Sequence, residues 1–443
     1  MAFISYHPAT GTEVTHLNTL SAAELEQRVQ QSQLAAQTWR QSSVSDRSAL
    51  LNRLASLLSA NRERLAMCMT REMGKLLNEA LAEVDRCALE CNYFATQGPA
   101  MLPLARSMNT FEPMGSVLLL SSWRFPLWQV FRVLAPTLMA GNAVLLKLAE
   151  NLPLCAREIE FLLTEADAPN GLVFSLLITK PQVASLIIDT RVKALAFSGN
   201  REDASRVAAL AGQQLKPIVL ELDETELHVI LDDADLNLAV AAALRSRFRN
   251  AGQLGHAARG FMVAPGIADS FVTKLSAQLA EWQPGDPEQL VSTLGPLATQ
   301  MQRDELHFQV QAALADGAQA VVGCELPAGA GWYYPASLLD WVHPQMTVFR
   351  QQLSGPLACV LRAPNVEAII DMCQGLGPDG TVSIWTRNIA QGEQLARQLP
   401  FGTCLINREP CQDKGYRSQS GLMAEGHFSI RAFCHTKTLR VSA

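Results

Sequence analysis

The sequence lacks an excess of positive charge. Its 36 lysines and arginines are outnumbered by 42 aspartates and glutamates, which gives a net charge of −6. Proteins that bind nucleic acid usually carry a basic patch or stripe that contacts the phosphates. We therefore expect no nucleic-acid partner.

Long apolar runs are also absent. No run approaches the ~20 apolar residues that a helix needs to span a bilayer. The opening residues 1–11 (MAFISYHPATG) lack the basic region followed by an apolar region that is typical of a secretory signal. We expect a cytoplasmic protein with no membrane association.

The cysteines form no recognisable framework, although ten are present. Their spacing matches neither a disulfide-rich scaffold nor a zinc site. Cys87 and Cys91 are four residues apart on a predicted helix and share a face, but they have no second pair or histidine nearby in sequence. We expect reduced, structural thiols at Cys68, Cys87, Cys91, Cys155, Cys324, Cys359, Cys373, Cys404, Cys411 and Cys434.

Much of the chain consists of strand-like segments that alternate with helical ones. Helical periodicity dominates residues 22–95, and a strand-like run at 116–120 then opens a pattern of short apolar runs separated by helical stretches. The runs lie at 143–148, 173–178, 194–197 and 217–222, and the helices at 126–140, 153–166, 181–189 and 201–212. This order predicts an α/β fold with a parallel sheet wound by right-handed crossovers, an architecture typical of nucleotide binding.

A second set of elements begins near His228. We predict helices at about 235–248 and 268–282 and strands around 260–264 and 356–361, since these segments show the same periodicities. A chain of 443 residues is long enough for two or three domains with separate cores. The second domain is therefore placed after residue 227.

Short segments spread along nearly the whole chain occur in the order found in one protein family. They are residues 123–130 (WRFPLWQV), 138–142 (LMAGN), 146–147 (LK), 215–217 (LKP), 220–222 (LEL), 231–236 (LDDADL), 250–253 (NAGQ), 294–296 (LGP) and 355–356 (GP). Together they resemble the aldehyde dehydrogenase superfamily over residues 5 to 440, nearest the bacterial succinate-semialdehyde dehydrogenase branch.

The resemblance implies a division of the chain and a reaction. Residues 1–100 and 117–227 would form a Rossmann-like NAD-binding domain, and 228–414 an α/β catalytic domain. Residues 101–116 and 415–443 would form a small oligomerisation element. The family reaction is the NAD- or NADP-dependent oxidation of an aldehyde to the acid.

The resemblance also assigns cofactor-binding positions. Lys147 and Glu150, just after a strand, match the lysine and glutamate that hold the adenosine ribose. Trp123 is also assigned to cofactor binding. Gly199 and Asn200 stand in the phosphate-binding turn, but the family has Ser at 200 and Gly at 204, where this chain has Asn and Ala. Glu202 and Asp203 between them suit the helix dipole yet repel a pyrophosphate, so an acid-capped helix that binds no phosphate is an equal alternative.

At the nicotinamide end the departures are larger. Leu222 matches the family's Glu-Leu-Gly-Gly, but the glycine pair is Asp223-Glu224 here, which removes the close backbone approach that glycine allows. Gln352 and Ser354 stand where the family has a ribose-binding glutamate and a phenylalanine beside the ring. Binding of NAD or NADP is therefore doubtful.

The positions that carry out the reaction in the family differ most from the family pattern. Gly255 stands where the family carries its cysteine nucleophile, and Arg124 where it has the asparagine that donates to the oxyanion. Glu221 keeps the identity of the family's general base. Losing a covalent nucleophile lowers kcat by about 10⁶ in a serine protease, and His256 beside Gly255, on the first turn of a predicted helix, is more often a packed or solvated residue than a substitute base.

Two segments concern assembly and the pocket mouth. The connection from Met101 to Glu112 and the stretch from Asn407 to Gly421 are both shorter than the family pattern. We expect an altered homodimer, or a hetero-oligomer with an active relative, and a remodelled pocket mouth.

Two functions from different classes remain open. The first is an inactive family member that serves as a binding or scaffold protein and senses a small anionic ligand through Arg124. The second is a residual or repurposed oxidoreductase acting on an aldehyde with NAD or NADP. Erosion of the cofactor positions favours the first, and we predict that Gly255→Cys alone does not revive the reaction.

Overall fold

The computed structural model describes residues 2–102, 109–223, 225–376, 380–409 and 430–440. Its helices within these ranges are α1 (Ala22–Trp39), α2 (Val44–Ala60), α3 (Arg62–Met73), α4 (Leu77–Met101), α5 (Trp128–Ala140), α6 (Pro153–Glu165), α7 (Lys180–Ile188), α8 (Arg201–Gln213), α9 (Leu236–Phe248), α10 (Pro265–Leu279), α11 (Gln300–Ala315), α12 (Thr347–Arg350), α13 (Val366–Cys373) and α14 (Ile389–Ala396).

The strands of the same ranges are β1 (Ala2–Tyr6), β2 (Glu13–Asn18), β3 (Asn109–Pro113), β4 (Ser116–Leu120), β5 (Ala143–Lys147), β6 (Val173–Ser175), β7 (Val192–Gly199), β8 (Ile218–Leu222), β9 (Glu226–Ile230), β10 (Ala258–Val263), β11 (Gln319–Val322), β12 (Ser337–Asp340), β13 (Leu357–Arg362), β14 (Thr381–Trp385), β15 (Thr403–Ile406) and β16 (Cys434–Thr438).

The first large sheet has five strands in the order β6-β5-β4-β7-β8, all parallel. Side chains alternate between its two faces. Val117 and Leu119 of β4 pack into a core with α2–α6, whereas Leu118 and Leu120 pack into a second core that includes α7. The predicted parallel sheet and its crossover helices are confirmed.

The second large sheet has seven strands in the order β11-β12-β13-β10-β9-β14-β15, and all its pairings except β11 with β12 are parallel. Its strands and helices enclose a separate hydrophobic core. β8 ends at Leu222 in the first sheet and β9 begins at Glu226 in the second. The change of sheet therefore precedes the predicted boundary after residue 227, and the division into domains stays a prediction.

Small elements complete the described structure. β3 pairs antiparallel with β16, which joins residues 109–113 to 434–438. Capping boxes begin α1 at Ser21 with Glu24 and α2 at Ser43 with Asp46, each satisfying helix N–H groups that lack an intrahelical acceptor. None of the described helices has the length and apolar content that a membrane crossing requires.

Candidate functional site

The carboxyl edge of the five-stranded sheet brings the predicted cofactor residues together. The strands follow the order 3-2-1-4-5 of a doubly wound sheet. The sheet grows outward in opposite directions from β4 and β7, so the topological switch point lies between these two strands. Ligands bind such folds in the crevice outside the carboxyl ends of the strands at that point. Trp123 follows β4, Lys147 ends β5, Gly199 ends β7 and Leu222 ends β8.

One end of this edge holds Lys147 and Glu150. The Lys147 Nζ lies 3.8 Å from Glu150 Oε1, and the lysine side chain is 13% exposed while the glutamate is 51% exposed. Burial lowers the pKa of Lys147, and the negative charge of Glu150 opposes that change. This pair, which we call the adenosine end, offers an ammonium and a carboxylate to neighbouring hydroxyls.

The turn after β7 is already satisfied by its own side chains. Gly199 has a φ of +154°, and Asn200 accepts a hydrogen bond from the Asp203 N–H at 2.8 Å. Asn200 Nδ2 also donates to Asp203 Oδ2 at 2.9 Å, and Glu202 pairs with Arg206 at 2.5 Å. The start of α8 therefore presents two carboxylates and a capped N–H, which favours the acid-capped alternative over phosphate binding.

Gln352 and Ser354 lie in a segment that Arg247 links by hydrogen bonds to the stretch that precedes Gly255. The fully buried Arg247 donates to the carbonyl oxygens of Leu353 at 3.2 Å and Gly252 at 3.1 Å, and also to that of Gly355. Burial lowers the pKa of Arg247 to about 10. Gln352 is half-buried, and the buried Ser354 hydroxyl has no hydrogen-bond partner among the described residues.

The turn at residues 249–252 has an unusual backbone. Asn250, Ala251 and Gly252 have φ values of 49°, 51° and 70° in succession. A left-handed conformation costs a non-glycine residue roughly 1–2 kcal/mol. The Asn250 N–H donates to Glu79 at 2.9 Å, and its side chain donates to the carbonyl of Arg124 at 3.2 Å. These bonds hold the turn against the residues that precede α5.

A buried ion pair lies beneath the start of α5. Lys75 and Glu83 are 1% and 2% exposed and contact each other directly. Lys75 Nζ donates to the Arg124 carbonyl at 3.0 Å, while Glu83 accepts the N–H groups of Leu127 and Trp128 at 2.9 Å each. We call this pair the scaffold pair, since it fixes the backbone on which Arg124 stands.

Arg124, Asp223 and Gly255 meet at one place, which we call the reactive centre. Arg124 Nη1 donates to both carboxylate oxygens of Asp223 at 2.9 Å, and the two side chains are 8% and 14% exposed. A Cβ added to Gly255 would approach Asp223 Oδ1 well inside the 3.0 Å below which real Cβ atoms essentially never come. The Asp223 carboxylate therefore occupies the space in which a side chain at 255 would begin.

This contact argues against the expectation that Arg124 holds a small anionic ligand, which stays a prediction. The guanidinium is already paired with a carboxylate of the same chain, so its charge is neutralised within the protein. The sequence-based reasoning treated Arg124 and Asp223 separately. Glu224, the second of the replaced glycines, lies outside the described residues.

Glu221 is paired with a residue that the sequence-based reasoning missed. Arg132 Nη1 of α5 lies 3.0 Å from Glu221 Oε1, and the side chains are 25% and 14% exposed. Oε1 is buried and makes no well-formed hydrogen bond within the described ranges. The available signal was an arginine inside the apolar helix that follows the 123–130 segment.

His256 lies in a turn between the 249–252 turn and β10, so the prediction that it begins a helix is wrong. The residue is exposed, and partial desolvation of the imidazole by neighbouring groups lowers the pKa of His256. The negative charges of Glu226 and Asp223 oppose this change, whereas the positive charges of Arg249 and Arg86 act in the same direction as desolvation. His256 therefore lies near arginines and carboxylates whose charges have opposite effects on its protonation.

A sequence model described as the aldehyde dehydrogenase family matches residues 2–439. A succinate semialdehyde dehydrogenase, NAD(P)+, of Escherichia coli strain K12 is 36% identical over 448 residues, covering 98% of this chain and 97% of the relative. A succinate-semialdehyde dehydrogenase, NADP(+), of Mycobacterium bovis is 32% identical over 461 residues, with both chains fully covered.

Solved structures show the same likeness. The crystal structure of succinic semialdehyde dehydrogenase from Streptococcus pyogenes, in complex with NADP+ as the cofactor, superposes with a TM-score of 0.89. That chain is 27% identical to this one, and the match covers 99% of this chain and all of the other. The predicted fold class is confirmed.

Proposed function

The chain belongs to the aldehyde dehydrogenase family, and from that premise we propose that it is a member without the aldehyde-oxidising reaction, which serves as a binding or scaffold protein. The observation that carries this proposal is the reactive centre. Where the family resemblance places a cysteine, Gly255 offers no side chain, and the Asp223 carboxylate fills the space beside it.

The family chemistry needs three groups, and only one is available. A nucleophile must attack the aldehyde carbon, donors must hold the oxyanion, and a base must activate the water that releases the acid. Gly255 supplies no nucleophile, and the Arg124 Nη1 donates to Asp223 rather than to a substrate oxygen. Glu221 keeps the carboxylate of a base but is bound to Arg132, and without a thioester it has no role in that reaction.

The arginines near His256 carry the positive charge that a carboxylate ligand requires. Arg132 lies beside Glu221, and the positive charges of Arg249 and Arg86 reach His256. Guanidinium groups bind carboxylates with two parallel hydrogen bonds. Because the relatives are named succinate-semialdehyde dehydrogenases, we propose a short acid related to succinate as the ligand, held by Arg249 and its neighbours rather than by Arg124.

Assembly is the second part of the proposal. β3 and β16 form a two-stranded antiparallel sheet from segments far apart in sequence, and the family resemblance assigns this region to subunit contacts. A two-stranded sheet leaves backbone N–H and C=O groups unpaired along its edges. We propose that it joins this protein to a second copy or to an active relative.

The test combines turnover with binding. Purified protein is assayed with small aldehydes and with NAD+ or NADP+, and we expect no reduced cofactor above a no-enzyme control. Calorimetry with succinate should release heat, whereas its neutral diamide should not. Arg249→Gln should abolish the succinate signal, and Arg206→Gln, which alters an exposed arginine of α8, should retain it. Robust turnover of any aldehyde by the unmodified protein contradicts the proposal.

The runner-up is a residual or repurposed oxidoreductase. The Lys147–Glu150 pair at the adenosine end favours it, because erosion of cofactor binding has not removed these two groups. Calorimetric titration of oxidised and reduced NAD and NADP separates the two functions. Micromolar binding supports the cofactor-using alternative, and no binding supports the scaffold.

A further inference from the structure

Two thiols and a carboxylate converge far from the candidate site. Cys68 and Glu72 lie one turn apart on α3, and Cys155 lies in the first turn of α6. The two sulfur atoms are 3.6 Å apart, and one ligand atom from each of the three residues lies within 4.8 Å of the others. None of these residues contributes to the reactive centre or to the cofactor edge.

The carboxylate is held in a fixed position. Glu72 is 1% exposed and accepts the N–H groups of Leu154 at 2.8 Å and Cys155 at 2.9 Å, one on each oxygen. Each carboxylate oxygen has two lone pairs, so each keeps one for a further partner. Burial raises the pKa of Glu72 while these two backbone bonds lower it.

A fourth polar group lies beside the carboxylate. The Ser5 hydroxyl of β1 is fully buried and close enough to lower the pKa of Glu72, yet it makes no well-formed hydrogen bond to any residue that the structure describes. A buried hydroxyl without a partner is unfavourable by roughly 1–3 kcal/mol. A cation bound at this point could take the Ser5 hydroxyl oxygen as a ligand.

We propose that Cys68, Cys155 and Glu72 bind a thiophilic divalent cation of the Zn²⁺ class, with the Ser5 hydroxyl or a water as the fourth ligand. Two thiolates bound at ~2.3 Å to a tetrahedral ion lie about 3.8 Å apart, close to the observed separation of the sulfur atoms. On binding, the two thiols release two protons to solvent and their sulfur lone pairs form the metal bonds. No electron is transferred.

The other close cysteine pair lacks these features. Cys87 and Cys91 are both fully buried on α4, but no third donor joins them among the metal-ligating groups of the described ranges. Cys68, in contrast, is half-buried, which gives an ion an entry path. The bound ion would join α3 to the first turn of α6, a structural role.

Cobalt serves as the spectroscopic probe for the site. The full chain is reduced, freed of metal and titrated with Co²⁺. We expect thiolate-to-cobalt charge-transfer absorption and tetrahedral d–d bands that saturate at one equivalent and disappear when Zn²⁺ is added. Cys68→Ala and Cys155→Ala should each abolish the charge-transfer band. Cys404→Ala, which removes another half-buried thiol, should leave it unchanged.

A second measurement guards against loss of folding in the variants. Zn²⁺ should raise the melting temperature of the unmodified protein and not that of Cys68→Ala, provided that both show the same circular dichroism. The proposal is overturned if the reduced protein gives no thiolate band at one equivalent of Co²⁺. It is equally overturned if both alanine variants keep the band, or if the two thiols are joined as a disulfide that reductant does not open.

Discussion

Two ion pairs involve residue 124, one through its backbone carbonyl and the other through its side chain, and they differ in what surrounds them. The scaffold pair, Lys75 with Glu83, is almost fully buried, and both of its members also bind backbone groups that lead into α5. The pair at the reactive centre, Arg124 with Asp223, is slightly more exposed, and Arg124 Nε has no partner within the described residues.

The comparison distinguishes an ion pair that supports the fold from one that stands at the predicted reactive positions. The scaffold pair fixes a backbone that the fold needs whether or not the protein reacts with an aldehyde. The Arg124–Asp223 pair stands where the family resemblance places an oxyanion donor and a glycine. We infer that the scaffold pair serves the fold, and that side chains which satisfy one another stand where the resemblance places the reactive groups.

The largest expected effect comes from breaking the scaffold pair. Lys75→Met leaves the Glu83 charge buried and uncompensated, which should lower the free energy of unfolding by about 3–5 kcal/mol. Urea denaturation measures this loss. As a control, Arg62→Met breaks the exposed pair with Asp85 and should change stability far less. Equal losses in the two variants would show that the scaffold pair has no special role.

The next effect comes from separating Arg124 and Asp223. Asp223→Gly leaves the guanidinium nearly buried without its carboxylate, and the expected loss is about 1.5–3 kcal/mol of stability. The double variant Arg124→Asn with Asp223→Gly should recover most of it, so a double-mutant cycle should give a clear coupling energy. Simple additivity of the two single changes would contradict the compensated pair.

A smaller effect is expected from Gly255→Cys. The new side chain would press on Asp223, and because Gly255 is only half-buried, the loss should fall near the low end of the ~1–3 kcal/mol typical of overpacking. No burst of NADH should appear with any small aldehyde. The same change added to Arg124→Asn with Asp223→Gly should carry no such penalty, and a burst from the single variant would show that the other replacements matter little.

The smallest effect concerns the adenosine end. Because burial lowers the pKa of Lys147, its ammonium charge is lost at a pH below the ordinary 10.5. Under the cofactor-using alternative, NADP+ binds with the phosphate of its adenosine ribose near Lys147, so its affinity should fall by about twofold to fivefold as the pH approaches that value, in line with a partly screened contact of ~0.5–1 kcal/mol. Measured by calorimetry, the affinity of the Lys147→Gln variant for NADP+ should not change with pH in this range. The affinity of the control variant Lys193→Gln should change with pH as it does in the unmodified protein. Absence of binding at every pH would place the adenosine end among the lost functions.

The sequence predicted the parallel sheet and its helices well, since period and run length are local properties. The run at 173–178 forms a strand only at Val173–Ser175, and the helix expected at His256 is a turn. The successive left-handed residues at 250–252 also could not be predicted, because they depend on Glu79 and on other groups distant in sequence.

The candidate site was predicted as positions and not as contacts. Residues 124 and 223 are far apart in the chain, and each was compared with the family separately, so their pairing and its effect on Gly255 became visible only in three dimensions. Arg132 and the carbonyl contacts of Arg247 were missed for the same reason. Identity of a residue is local information, whereas its partner is set by the fold.

The contact among Arg124, Asp223 and Gly255 also bears on how the protein can evolve. A cysteine at 255 alone would contact the Asp223 carboxylate. Removing Asp223 alone would leave Arg124 without its ion-pair partner, and an asparagine at 124 alone would leave Asp223 without its partner. On the predictions above, each single reversion would give a less stable chain without activity, which is a form of sign epistasis. Under the proposed loss of the family reaction, a lineage carrying this trio would have to pass through less stable intermediates to regain it, and sequence drift would be free to adapt the remaining surface to another role.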